Sequence, residues 1–104
     1  LGDLNTDGGR AAMDDPSSQY SRLVAMLQKV RPSWTDVGAT IDPTAWGTMP
    51  ADETEIAHRI DYIFVSNPTD GPGLNLRESR VQRFADPRVK YLSDHAALEA
   101  VLEW

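Results

Sequence analysis

Apolar residues recur at helical spacing in one stretch of the chain and run together or alternate in two others, and these patterns predict its main elements. Tyr20, Leu23, Val24, Leu27 and Val30 form one stripe at intervals of three and four. Asp15 followed by Pro16 offers an N-cap and a proline at the first helical position, where a missing N–H costs nothing. Lys29 and Arg31 suit the negative end of the helix dipole, and Pro32 stops the helix. Ile60 to Val65 is almost entirely β-branched or aromatic, which predicts a strand buried on both faces, with the carboxylate of Asp61 as the exception to explain.

The last stretch carries a conflict. Ala96 to Trp104 is built from good helix formers, yet Leu98, Ala100, Leu102 and Trp104 alternate with Glu99, Val101 and Glu103, the period of a strand. Arg80 to Phe84 reads as an edge strand anchored by Val81 and Phe84, and the charges from Arg77 to Arg83 form a solvated face. Residues 1 to 15 are rich in Gly and Asp and read as a loop. From Pro32 to Thr54 the chain is interrupted by Pro32, Gly38, Pro43, Gly47 and Pro50. Trp34, Val37, Ile41 and Trp46 are its isolated apolar anchors, predicting short strands and a long surface loop. Asn67 to Gly73 is a turn-rich loop. Met13, Met26 and Met49 are packing or loop residues.

Composition adds limits. At 104 residues the chain is one domain at most, and 40% hydrophobic with 25% charged residues is ordinary for a globular protein. The net charge of −6 is the opposite of the basic footprint of a protein that binds nucleic-acid phosphates broadly, although a bound cation can neutralise clustered carboxylates. With no cysteine there is neither a disulfide framework nor a thiolate zinc site. No apolar run approaches the roughly 20 residues of a membrane-spanning helix. The start at Leu1, without an initiator Met or a signal-like region, is expected of the interior of a longer sequence, and the compartment is unreadable.

Three short motifs carry chemistry. Gly2-Asp3-Leu4-Asn5 places a carboxylate and a carboxamide two residues apart, on one side of the chain if the backbone is extended. A carboxylate can take a proton from water while a carboxamide donates to a phosphate oxygen; an Asp/Asn-rich turn accounts for the same residues. Asp61 within its apolar run needs a partner, either an imidazole whose tautomer it would fix, or Arg59 or a backbone amide. Ser93-Asp94-His95 offers two groups on opposite faces of an extended chain, so that Asp94 can serve a metal while His95 serves a substrate. His58 directly precedes the strand and is expected to be exposed. A rival reading takes Asp3, Asn5, Asp7, Gly8 and Asp14 as positions 1, 3, 5, 6 and 12 of a calcium loop of the dockerin or EF-hand type, that is, a calcium-binding interaction module. Against it stand Arg10 at an apolar position, Asp14 in place of the bidentate Glu, and the lack of a second loop.

In this order, Gly2-Asp3-Leu4-Asn5, Ser18 to Leu23, Thr35-Asp36-Val37, Arg59 to Val65 and Ser93-Asp94-His95 resemble the C-terminal half of the endonuclease/exonuclease/phosphatase superfamily, the deoxyribonuclease I-like fold. The resemblance covers essentially residues 1–104. It implies an α/β fold, half of a four-layer α/β sandwich, with a helix packed on a mostly antiparallel sheet and residues 96 to 104 as its closing strand. It implies metal-dependent phosphodiester hydrolysis by activated water. Asp3 would position or deprotonate the water, and Asn5 would contact the scissile phosphate. Asp61 would orient His95, and His95 would bind the phosphate or act as acid/base. Asp94 would lie near a divalent cation, usually Mg2+, with Mn2+ or Ca2+ as alternatives. The substrate would be a nucleic acid, phospholipid or sugar phosphate. The first half of such a domain, which supplies a metal-binding Glu and a further Asn, has no counterpart in these residues, so the chain is expected to be a fragment inactive by itself.

Overall fold

In a computed structural model, which describes residues 1–42, 47–48, 58–68, 71–84, 86–89 and 92–104, the chain is a mixed α/β fold of small antiparallel sheets and two helices. The strands are β1 (Gly2–Asp3), β2 (Trp34–Asp36), β3 (Asp61–Tyr62), β4 (Phe64–Ser66), β5 (Asn75–Gln82) and β6 (Ala97–Glu103). The helices are α1 (Arg10–Asp14) and α2 (Gln19–Val30). Trp46 and Met49, with much of the predicted loop from Pro32 to Thr54, lie outside the described residues.

Segment 58–66 is the spine of the fold, and it changes partner along its length. β3 pairs with β1, setting Gly2 opposite Tyr62 and Asp3 opposite Asp61. β4 pairs with β2, from Trp34 opposite Ser66 to Asp36 opposite Phe64. Between them the Ile63 carbonyl accepts from the Val37 amide at 3.0 Å. The single strand predicted over Ile60 to Val65 is therefore two short ones. An apolar run specifies burial, and it does not say which neighbour completes the backbone hydrogen bonds.

The helix begins later than its capping signal suggested. Asp15 turns its carboxylate onto the Ser17 amide and hydroxyl at 2.9 and 2.8 Å, and Ser18 becomes the N-cap, its hydroxyl accepting from Ser21 N at 3.0 Å. Ser, Asp and Asn are near-equivalent caps, so an Asp-Pro-Ser-Ser run leaves the start ambiguous within a turn. Ala11, Ala12 and Met13 favour helix and form α1 inside the stretch predicted as loop. Its Ala12 carbonyl accepts from both the Ser18 and Ser21 hydroxyls, tying the two helices together. The apolar stripe of α2 is only partly covered: Tyr20 is buried, whereas Met26 and Val30 are 59% and 76% exposed.

At the chain's end the alternating pattern overrides helix propensity. β6 pairs along β5, with Leu98 opposite Val81 and Leu102 opposite Leu76, and a register irregularity lies between Leu76 and Glu78. Arg80–Glu99 and Arg77–Glu103 pairs cross its solvated face. β5 starts before and ends before the edge strand predicted over Arg80 to Phe84. Phe84, a predicted anchor, lies beyond it and is 57% exposed.

The core under the spine is polar at its centre. Arg59 is fully buried, its guanidinium carbon 5.3 Å from the Tyr20 ring centroid and 5.1 Å from that of Tyr62. Its Nη1 donates to Asp36 Oδ2 at 2.7 Å and its Nε to the Gly8 carbonyl at 2.8 Å. The Tyr20 hydroxyl donates to the same Asp36 oxygen at 2.8 Å. Tyr62 shares its hydroxyl proton between the Thr6 and Arg59 carbonyls, and burial pushes its pKa far above the usual phenol value. This cluster fixes the spine to segment 1–8 on one side and to α2 and β2 on the other, and Val37, Ile60 and Ala96 are buried apolar residues of the same core.

Candidate functional site

Opposite residues of an antiparallel pair project to one face, so the Asp3–Asp61 register sets two carboxylates side by side. Tyr62, on the other face, stacks against Tyr20 of α2. The carboxylates therefore lie on the face turned away from α2. His95, just before β6, reaches the same face. Its Nδ1 is 2.8 Å from Asp61 Oδ2, with the two side chains 26% and 20% exposed. Asp3, Asp61 and His95 each offer a ligand atom within 4.8 Å of the others, the one such group of three among the described residues.

Local turns aim each member. The Asn5 amide donates to Asp3 Oδ1 at 2.8 Å, which leaves Oδ2 outside that bond. The turn requires a left-handed backbone at Asn5, φ 48°, a conformation that Asn tolerates better than most residues. The Ser93 hydroxyl accepts from the His95 amide at 3.1 Å and so shapes the turn into β6. The imidazole is held above its ordinary pKa. The Asp61 hydrogen bond is the largest cause, desolvation opposes it, and the charges of Asp61, Asp94 and Asp3 add to it.

The extended backbone assumed for Gly2 to Asn5 does not persist. The left-handed turn carries Asn5 away from the line of Asp3, and its side chain lines an open cleft of about 500 Å³ with Leu4, Leu23 and Met26, beside α2. Asp94 is exposed and lies outside the group of three, reaching His95 through its charge. His58 is exposed as expected, and its Nδ1 is 3.1 Å from Asp7 Oδ2. Asp7 Oδ1 accepts from the amides of Gly9 and Arg59 at 3.0 and 3.3 Å. Burial works against ionisation of Asp7, but the His58 hydrogen bond and these amides outweigh it and hold the carboxyl below its usual pKa. With Asp3 in β1, Asp14 in α1 and Asp7 engaged this way, the calcium-loop carboxylates do not gather into a group of three.

No family model, curated protein or solved structure matches this chain.

The chemistry of the trio therefore has to be read from its own atoms. Two carboxylates and one imidazole suit a divalent cation. Mg2+ is commonly held by one or two carboxylates with water completing its shell, and Mn2+ also accepts carboxylate and water, while imidazole is the borderline ligand of the set. Asp3 and Asp61 are each anchored through one oxygen, Asp3 by Asn5 N and Asp61 by His95, so each has a second oxygen with which to meet a cation. A neutral or protonated His95 held through Nδ1 presents Nε2 to whatever occupies the site.

Three contributors escaped the sequence reading. Arg59 and Asp36 form a buried ion pair, although an Arg flanking an apolar run ordinarily marks the solvated end of a strand; the one signal was Asp36 between Thr35 and Val37. Ser93 has nothing in the Ser93-Asp94-His95 triplet to mark its hydroxyl as the acceptor for the His95 amide. Thr48, fully buried, sits in a Gly/Pro-interrupted stretch where nothing distinguishes it from other loop threonines.

Proposed function

We propose that this chain carries the acid/base and metal-binding face of a metal-dependent phosphoester hydrolase of the deoxyribonuclease I-like type, as the C-terminal half of a four-layer α/β sandwich. The observation that carries the reading is the His95 Nδ1–Asp61 Oδ2 contact of 2.8 Å with Asp3 in the same group, which unites in space three of the five segments on which the resemblance rests.

Asp61 fixes the tautomer in which Nδ1 bears hydrogen, so protonated His95 turns an Nε2–H toward the substrate. Asp3 orients a water and takes one of its protons as the oxygen attacks phosphorus. The bond from phosphorus to the leaving oxygen breaks, and His95 Nε2 delivers its proton there. The raised imidazole pKa keeps this proton available closer to neutrality. Asp3 and Asp61 would hold the cation with Asp94 near it; when bound, the cation polarises the phosphoryl oxygen and stabilises the leaving group. The substrate is a nucleic acid, phospholipid or sugar phosphate, and the net charge of −6 favours one that does not depend on broad phosphate contacts.

The test is turnover of bis(4-nitrophenyl) phosphate with Mg2+ or Mn2+ by a protein in which this half is joined to the other half of the domain, alongside Mn2+ binding by electron paramagnetic resonance. Asp3→Ala, Asp61→Ala and His95→Ala should each lower turnover by about 100-fold or more, and Asp3→Ala should weaken Mn2+ binding. Undiminished turnover in all three variants of the complete domain, or a complete wild-type domain that neither binds Mn2+ nor hydrolyses the ester, sinks the assignment.

A further inference from the structure

Thr48 bonds the backbone at Asp61 and at Ala96, the residue next to His95. It is fully buried. Its hydroxyl oxygen accepts from the amides of Ile60 and Asp61, both at 3.3 Å, and faces the His58 carbonyl at 3.5 Å. Its backbone amide donates to that His58 carbonyl at 2.9 Å, and its own carbonyl accepts from Ala96 N at 2.8 Å. One residue thus joins the segment that carries Asp61 to the residue that follows His95.

Successive amides in a regular strand point to opposite sides. Two consecutive N–H groups can reach one oxygen only if the backbone is kinked between them, and β3 accordingly begins at Asp61, immediately after the kink. The kink sets where the Asp61 carboxylate emerges. A hydroxyl serves here because one oxygen can accept twice while donating once. A methyl in its place would leave two buried amides without an acceptor and the kink without its support. The Ala96 bond closes the other side: it fixes the backbone next to His95 to the same residue.

We infer that Thr48 is a positioning residue that sets the Asp61–His95 separation, its hydroxyl acting on Asp61 and its carbonyl on the His95 segment. The role it plays in turnover rests on the hydrolase reading above, but its effect on the dyad does not, and the test keeps the two apart.

The measurement is the low-field Nδ1 proton of His95 and the ring nitrogen shifts by NMR, which report the hydrogen bond to Asp61 whether or not the chain turns over an ester. Thr48→Val keeps the side-chain volume and both backbone bonds but removes the acceptor. It should lose the low-field proton and shift the ring toward a mixture of tautomers. Thr48→Ser, which keeps the hydroxyl, should restore the wild-type signature. Val37→Ala, a substitution at another fully buried position that carries none of these contacts, should lower stability and leave the His95 signals in place. Under the hydrolase reading, Thr48→Val in the complete domain also loses about 10- to 100-fold in turnover, the usual effect of removing a group that orients a metal ligand. A folded Thr48→Val with unchanged His95 signals overturns the inference, as does loss of those signals in Val37→Ala, which would make them a mere reporter of stability. Should Thr48→Val not fold, Thr48→Ser decides: a folded Ser variant without the low-field proton overturns it, and one that retains it supports it. Loss of the His95 signature in Thr48→Val with turnover of the complete domain unchanged would count against the hydrolase reading and leave the positioning role standing.

Discussion

Asp61 works by holding His95, and the energy of that contact is visible as proton affinity. The folded imidazole has a pKa above its free value, so the protonated ring is the form that gains from the contact. The sign follows directly. The stabilisation is fully present below the unfolded pKa of about 6.5 and fades as pH rises through the higher folded value. His95→Gln should therefore cost more stability at about pH 5.5 than at about pH 8.5, on either side of that titration. Asp61→Asn should lower the His95 pKa measured by NMR titration. A His95→Gln penalty that is the same at both pH values would count against this account. The sequence did announce this residue: a single carboxylate in an apolar run has to find a partner. It could not announce Thr48 or Arg59, because a buried threonine and a buried arginine differ from exposed ones only in what surrounds them.

The strands and helices show where pattern carries information and where it stops. The residues of 96 to 104 left alternation and helix propensity in conflict, and β6 follows the alternation of Leu98, Ala100 and Leu102, because cross-strand packing on β5 depends on spacing and not on composition. Partner choice was not legible: the run from Ile60 to Val65 divides between β1 and β2, which lie far apart in sequence. Gly8 shows how tightly segment 1–8 closes on this spine. A Cβ placed there would lie 2.5 Å from the Tyr62 hydroxyl and 2.6 Å from Arg59 Nη2, both on buried side chains. Gly8→Ala should cost about 1–3 kcal/mol in urea denaturation, the range for overpacking a filled core. Gly9→Ala is the control, since its Cβ would approach nothing closer than Asp7 Oδ1 at 3.4 Å. Equal stability of the two variants would show that the Arg59 cluster gives way more easily than its burial suggests.

For the whole molecule, the general α/β character and the meeting of Asp3, Asp61 and His95 were within reach of the sequence, whereas the small paired sheets and the polar core were not. Among the described residues no helix is long and apolar enough to cross a membrane. If Asp3 and Asp61 hold a divalent cation, as proposed, a chain of net charge −6 should be stabilised as a whole by it. At a Mn2+ concentration of about 100 times Kd the expected gain is about 2.7 kcal/mol, read as a rise in Tm by calorimetry and absent in Asp3→Asn. An equal rise in that variant would place the ion elsewhere. The long reach of the first eight residues has a kinetic side. Tyr62 meets Thr6 across 56 positions and Arg59 meets Gly8 across 51, so the opening segment can dock only after the distant spine has taken shape. Asp3 arrives with that segment. A chain caught partway through folding, with its helices made and its last ribbon closed, would still keep its two carboxylates apart, and the group of three would assemble as the final event in maturation.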